Sequence, residues 1–177
     1  MTDLIYLLRE LRHEMFEFTE SIDIEAGNDV VWQLMSDLGR WWPKSNPEHD
    51  QLQYLDDPPL HEGSRLRIKE RIAGIPGVAV GTITRFEPGK VVTWEADGAR
   101  YRLAGLRITL DEGVRWELEA LPDSQPAATR VSATVWARFP GRGGSLVERG
   151  FRLGGGVRKD REHARTELAY LKRTIES

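Results

Sequence analysis

Three observations predict an α+β fold in which a curved antiparallel sheet of about seven strands wraps around one long C-terminal helix. Gly63–Ile72 alternates strictly, with Leu66, Ile68, Glu70 and Ile72 on one face and Arg65, Arg67, Lys69 and Arg71 on the other. Val114–Ala120 repeats the pattern, and turn signals separate the apolar runs between them. Over the last thirty residues the period changes. Positions 146, 150, 153, 157, 161, 164, 168, 171 and 175 keep a three-four spacing, mostly apolar. A sheet with one apolar face must cover it, and this helix is the large candidate.

The elements follow in order. Residues 3–14 read as a short amphipathic helix, an extension (1–15) preceding a single domain over 16–177. Phe16, Phe18, Ile22 and Ile24 alternate as a first strand. Asn28 is a good N-cap for a helix from Asp29 to about Leu38, ended by Gly39, and Trp41-Trp42-Pro43 enters a second short turn or helix. A short strand is expected near Gln51–Leu55, between loops. Gly74-Ile-Pro-Gly77 then joins the first two strands of a meander. Pro88-Gly89 is a two-residue turn pairing Glu87 with Lys90 and Ile83 with Trp94. Asp97-Gly98 signals a hairpin that pairs Ala96 with Ala99 and Trp94 with Tyr101. Parity then switches at Leu106, which suggests a bulge near Ala104-Gly105, and Asp111-Glu-Gly113 reads as another turn. Thr129–Phe139 is the last strand, with Val131, Ala133, Val135 and Phe139 inward. Ser145-Leu-Val-Glu148 has the form of a capping box for one helix over about 145–176. Gly154-Gly155-Gly156 interrupts it, so the helix is expected to kink or loosen there, a full break being the alternative.

Composition narrows the function classes. The 177 residues carry 25 Lys and Arg against 28 Asp and Glu, a net charge of −3, with the cations spread out rather than clustered. A nucleic-acid footprint is therefore not expected. There is no cysteine, hence no disulfide, thiolate ligand or thiol nucleophile. Leu4–Leu11 is broken by Arg9 and Glu10 and is followed by no small-residue cleavage site, so no signal peptide is read. No run approaches the roughly 18 apolar residues of a membrane span. A cytoplasmic chain without integral membrane association, monomer or homodimer, is the expectation.

Phe18–Ile24 running into Asn28-Asp-Val-Val-Trp-Gln-Leu-Met35, Asp37-Leu-Gly-Arg-Trp-Trp-Pro43, Gly81–Trp94 and Leu168-Ala-Tyr-Leu-Lys172 together resemble the helix-grip superfamily (SRPBCC). This superfamily unites birch-pollen-allergen-like proteins, START lipid-transfer domains and polyketide cyclase/dehydrase-like proteins. The likeness spans about residues 16–176 and is nearest to the polyketide cyclase/dehydrase-like branch. It implies the helix-grip fold, two short helices after the first strand, and a cavity between sheet and C-terminal helix for a small hydrophobic or aromatic molecule. It implies no cofactor and no shared catalytic motif.

Glu70 is the anomaly of the alternation, a carboxylate where an apolar residue is expected. It is either an acid/base or ligand anchor, or a rim or ion-paired residue, because an ionised carboxylate is costly to bury alone. Arg85 and Arg161 are its candidate partners, or hold a ligand's anionic group. Ile68, Ile83, Trp94, Tyr101, Trp116, Leu118, Val135, Leu153 and Val157 complete the expected ligand-facing set, six tryptophans in all being available for rigid walls. Trp41 and Trp42 read as a corner plug or a lid at the cavity mouth. His13, His49, His61 and His163 have no metal-ligand spacing, and no metal is expected. The function so read is binding of a small hydrophobic or amphipathic ligand. The alternatives are a cyclase- or dehydratase-like enzyme using Glu70, and a protein-interaction module.

Overall fold

The computed structural model describes residues 15–177 except 104, 123, 125 and 142. The helix expected over 3–14 lies outside the described residues. Within them run β1 (Met15–Ile24), α1 (Asn28–Met35), α2 (Leu38–Ser45), β2 (His49–Tyr54), β3 (Arg65–Ile72), β4 (Ile75–Glu87), β5 (Val91–Leu103), β6 (Leu106–Leu121), β7 (Ala128–Arg138), α3 (Gly144–Leu153) and α4 (Gly156–Ile175). The strands form one antiparallel sheet in the order β1-β7-β6-β5-β4-β3-β2. β2 to β7 are thus a meander, and the first strand closes it beside the last.

The alternation in β3 is realised as expected. Leu66, Ile68 and Glu70 are buried while Arg65, Arg67, Lys69 and Arg71 face water. The inner face packs on α4 through Ala164, Leu168 and Leu171, and on α1 and α2 through Val31, Met35, Leu38 and Trp41. Each of the leucine, valine and methionine side chains contributes about 1.5–3 kcal/mol when removed from water. α2 carries the bulkiest of these groups. Trp41 and Trp42 meet Trp116 edge-on at 5.6 and 5.0 Å between ring centres, and Trp42 meets Trp94 at 5.6 Å. These edge-to-face contacts fill one half of the space between sheet and helix.

Several local expectations are corrected. Asp97-Gly98 is no hairpin: β5 continues through it, with Ala96 opposite Glu112 and Ala99 opposite Leu110. Gly98 takes a left-handed conformation (φ +69) and its N–H donates to Asp111 Oδ1 at 2.9 Å. One surplus residue is absorbed as a bulge, so Trp94 and Tyr101, an odd number of positions apart, both point inward. Asp111-Glu-Gly113 is likewise strand and not turn, and the true reversal joins Leu103 to Leu106 through Gly105 (φ +86). The turn between β3 and β4 is Ala73-Gly74, so Pro76 and Gly77 lie in the strand, where Gly77 pairs with Glu70. Ile83 does face Trp94, but Glu87 faces Val91 because a register shift between Ile83 and Arg85 intervenes.

The helix boundaries also move. Asn28 is not the cap of α1; Gly27 is, and Asn28 Nδ2 donates instead to the Gly89 carbonyl at 3.0 Å. α1 ends at Met35, and Gly39 lies inside α2 with the Tyr54 hydroxyl accepting its N–H. The capping box is not formed: Gly143 caps α3, and Glu148 pairs with Arg152. The C-terminal helix is broken rather than kinked. Gly155 adopts φ +75, a conformation that costs little only for glycine, and it separates α3 from α4.

Candidate functional site

Where the tryptophan plug ends, a cavity of about 690 Å³ opens between the outer halves of β5, β6 and β7 and the helices α3 and α4. Phe16, Trp94, Ile108, Val114, Val135, Phe139 and Phe151 give it an apolar wall. α3 roofs it because the chain turns at Gly155, and a side chain at Gly156 would collide with the Phe151 ring. Phe151 stacks on Phe16 at 5.4 Å, tying this roof to the first strand.

One end of the cavity is polar. Tyr101 lies flat over β4, where Gly77 leaves room for its ring. Its hydroxyl donates to Glu112 Oε2 at 2.9 Å, with Glu112 Oε1 at 3.0 Å and Glu70 Oε1 at 3.3 Å. Both glutamates are buried. Burial and the neighbouring Glu70 charge push the Glu112 carboxyl well above its usual range, despite the bond from Tyr101. Burial and the same two carboxylates raise the Tyr101 hydroxyl well above 10. Burial thus favours the protonated forms of Glu112 and Tyr101 at this end of an apolar chamber.

Beside it stands a second cluster. His49 on β2 is the cross-strand partner of Glu70 on β3. His163 and Glu167, four residues apart, face them from α4. His49 Nε2 lies 2.9 Å from His163 Nε2, 3.1 Å from Glu167 Oε1 and 3.4 Å from Glu70 Oε2. Burial alone would lower both imidazoles, but Glu167 and Glu70 outweigh it and raise His49 to about 10 and His163 to about 9. Burial would raise Glu167, yet the two histidines bring it down to about 2. Two Nε2–H groups cannot point at each other across 2.9 Å, so one proton, or one cation, serves the pair. His49, Glu70 and His163 offer ligand atoms within 4.8 Å of one another, a grouping able to hold a metal ion. Asp160, one turn before His163, lies in the cavity wall and is raised to about 7, chiefly by burial.

The residues named from the sequence separate into three groups. Glu70, Trp94, Tyr101 and Val135 line the cavity. Ile68, Ile83 and Trp116 are buried in the filled half, and Leu118 and Val157 pack at the margin of the core, outside the cavity wall. Arg85, Arg161 and Leu153 point elsewhere. Arg85 pairs with Glu87 on the outer face because the register shift after Ile83 turns it away. Arg161 bonds Glu20 at 2.7 Å and lies 4.9 Å over the Phe18 ring. Leu153, 81% exposed, loses its inward direction at the helix break. Neither arginine reaches Glu70, whose partners are Tyr101 and His49.

Sequence reasoning missed His49, Glu112, Asp160, His163 and Glu167. The histidines lie 114 positions apart in the chain, without metal-ligand spacing, and the fold joins them. Two signals were present. Glu112 continues the Leu110, Val114, Trp116 alternation once β6 is read as unbroken. Asp160, His163 and Glu167 keep three-four spacing beside the apolar stripe of α4.

The comparisons agree with this architecture. The family described as polyketide cyclase / dehydrase and lipid transport matches residues 15–176. The chain is similar to the Zhui aromatase/cyclase from Streptomyces sp. R1128, at 15% identity over 92% of this chain and 94% of that one, with a TM-score of 0.65. It is similar to the di-domain ARO/CYC BexL from the BE-7585A biosynthetic pathway, at 17% identity over 99% of this chain and 58% of that one, TM-score 0.64. A START superfamily protein from Mycobacterium smegmatis follows at 15% identity over 89% and 98%, TM-score 0.58. These identities show the fold alone. No curated protein matches the sequence. Among the described residues no helix is long and apolar enough to cross a membrane.

Proposed function

The chain belongs to the polyketide cyclase / dehydrase and lipid transport family, and from that premise we propose that it binds a small, ring-bearing, mostly apolar molecule in its cavity. The observation that carries this reading is the combination of aromatic walls with a polar end where Glu70, Tyr101 and Glu112 meet beside the His163–Glu167 pair. The volume of about 690 Å³ suits a ligand of two to four fused rings. Apolar surface supplies the affinity, and a hydroxyl or carbonyl on the ligand meets the phenol and carboxyl groups, which fixes its orientation.

Trp42 and Trp94 stand in the wall and serve as reporters. A hydroxylated naphthoquinone titrated into the protein should quench tryptophan fluorescence with saturation at one equivalent. Val135→Trp, which fills the chamber, should weaken this at least tenfold. Quenching that never saturates, or that is unchanged in the filled variant, overturns the reading.

A second reading, acid–base catalysis on that ligand, is supported by two buried carboxyls, Glu70 and Glu112, flanking the Tyr101 hydroxyl, with Glu112 raised by burial and by Glu70. In a dehydration, one group protonates a departing hydroxyl, which leaves as water, while the other removes the proton from the adjacent carbon. Glu70→Gln should then abolish turnover of a β-hydroxy-ketone substrate and leave binding nearly intact. Equal loss of both, or of neither, rejects the catalytic role.

A further inference from the structure

We propose that His49, His163 and Glu167, with Glu70 closing the set, form a binding site for one divalent first-row transition-metal ion in the cavity wall.

The tautomers come first. His49 Nδ1 lies 2.7 Å from the Trp42 carbonyl, which only accepts, so Nδ1 carries hydrogen. His163 Nδ1 lies 3.1 Å from Glu48 Oε2, which likewise takes its hydrogen. With Nδ1 protonated, each ring in its neutral form presents a bare Nε2 lone pair, and the two Nε2 atoms face each other and Glu167 Oε1. That convergence of electron pairs calls for positive charge, which protons on the rings supply in the metal-free protein and which one metal ion among the three atoms would supply in their place.

The spacing fits a metal. Ligand atoms 2.0–2.2 Å from a tetrahedral ion stand about 3.3–3.6 Å apart. The three edges of the His49, His163, Glu167 triangle measure 2.9, 3.1 and 3.2 Å, and His49 to Glu70 is 3.4 Å. A small outward relaxation opens the triangle around an ion.

Each ligand is also held from behind, as metal ligands are. Trp42 anchors twice, accepting from His49 with its carbonyl and donating Nε1–H to Glu167 Oε1 at 2.8 Å. Glu48 orients His163, and the Tyr101 hydroxyl approaches the Glu70 oxygen turned away from His49. The backbone supplies the template: a cross-strand His/Glu pair on β2 and β3 opposes an i,i+4 His/Glu pair on α4. Two imidazoles and two carboxylates suit zinc, cobalt(II) or iron(II) rather than calcium or magnesium. His163, Glu167 and Glu70 border the cavity, so a ligand oxygen there lies within reach of the ion. The site itself stands whether or not the cavity takes an aromatic molecule.

The test uses the metal alone. Full-length protein dialysed against a chelator should take up one equivalent of zinc in calorimetry. With cobalt(II) it should develop the intense visible bands of a tetrahedral centre. His163→Gln and Glu167→Gln should each weaken zinc binding a hundredfold or more. No uptake, or one-equivalent binding retained in both variants, shows a proton-only network and overturns the proposal. Should the variants fail to fold by circular dichroism, X-ray absorption on zinc-loaded wild type decides. Two imidazole nitrogens near 2.0 Å support the site, and a shell with fewer overturns it.

Discussion

Gly77 lies directly beneath the ring of Tyr101, so close that a Cβ on Gly77 would stand 2.2 Å from two ring carbons. The absence of a side chain on β4 is what lets the phenol lie flat and reach Glu112. Gly77→Val must lift the ring and separate it from Glu112. A loss of about 1–3 kcal/mol in urea unfolding is expected for such overpacking, together with weaker binding of the quinone probe. Retention of both would show that the ring is not held by this contact.

Asp160 makes stability depend on pH. Its carboxyl is raised from 3.8 to about 7, first by burial and then by Glu70, Glu167 and Glu48, with His163 opposing. The folded state therefore holds this proton more tightly than the unfolded chain. The contribution is complete below about pH 4 and is lost as pH rises towards 7, at on the order of 1 kcal/mol per unit. Asp160→Asn escapes that loss. Its melting temperature relative to wild type should climb between pH 4 and 7 and level off above, as followed by circular dichroism on metal-free protein.

Arg161 gives a contrasting expectation. It is partly exposed, bonds Glu20 alongside Arg165 and covers Phe18. Arg161→Ala should cost under about 1 kcal/mol and leave probe affinity unchanged. A tenfold loss of affinity would place the guanidinium in the ligand site after all.

Gly155→Ala addresses the helix break. At φ +75 an alanine costs about 1–2 kcal/mol, and relief by straightening would carry Phe151 away from Phe16. The variant should be destabilised by that amount in urea and bind the probe less tightly. A neutral result would mean that α3 does not depend on this turn.

Periodicity conveyed the sheet, the inward set and the odd carboxylate at Glu70, because a two-residue repeat is a local property of chain and solvent. It failed where one local signal had two structural meanings. Asp97-Gly98 has the composition of a hairpin, yet the positive φ of Gly98 serves a bulge because β6 continues alongside to pair with both halves of β5. Misreading it turned Glu112 into a loop residue and concealed its burial. His49 and His163 were illegible for a different reason: their meeting depends on where α4 crosses the β2–β3 edge, which no spacing in the chain encodes.

The surplus residue at Asp97-Gly98 works like a reading frame for the outer half of β5. Delete Asp97 and every side chain from Ala99 to Leu103 changes sides: Arg100 and Arg102 enter the chamber while Tyr101 leaves it. The polar end would pass from a phenol beside carboxyls to guanidinium groups, suited to anionic rather than neutral ligands. A one-codon deletion at this place is thus a route by which the same scaffold exchanges one ligand chemistry for another.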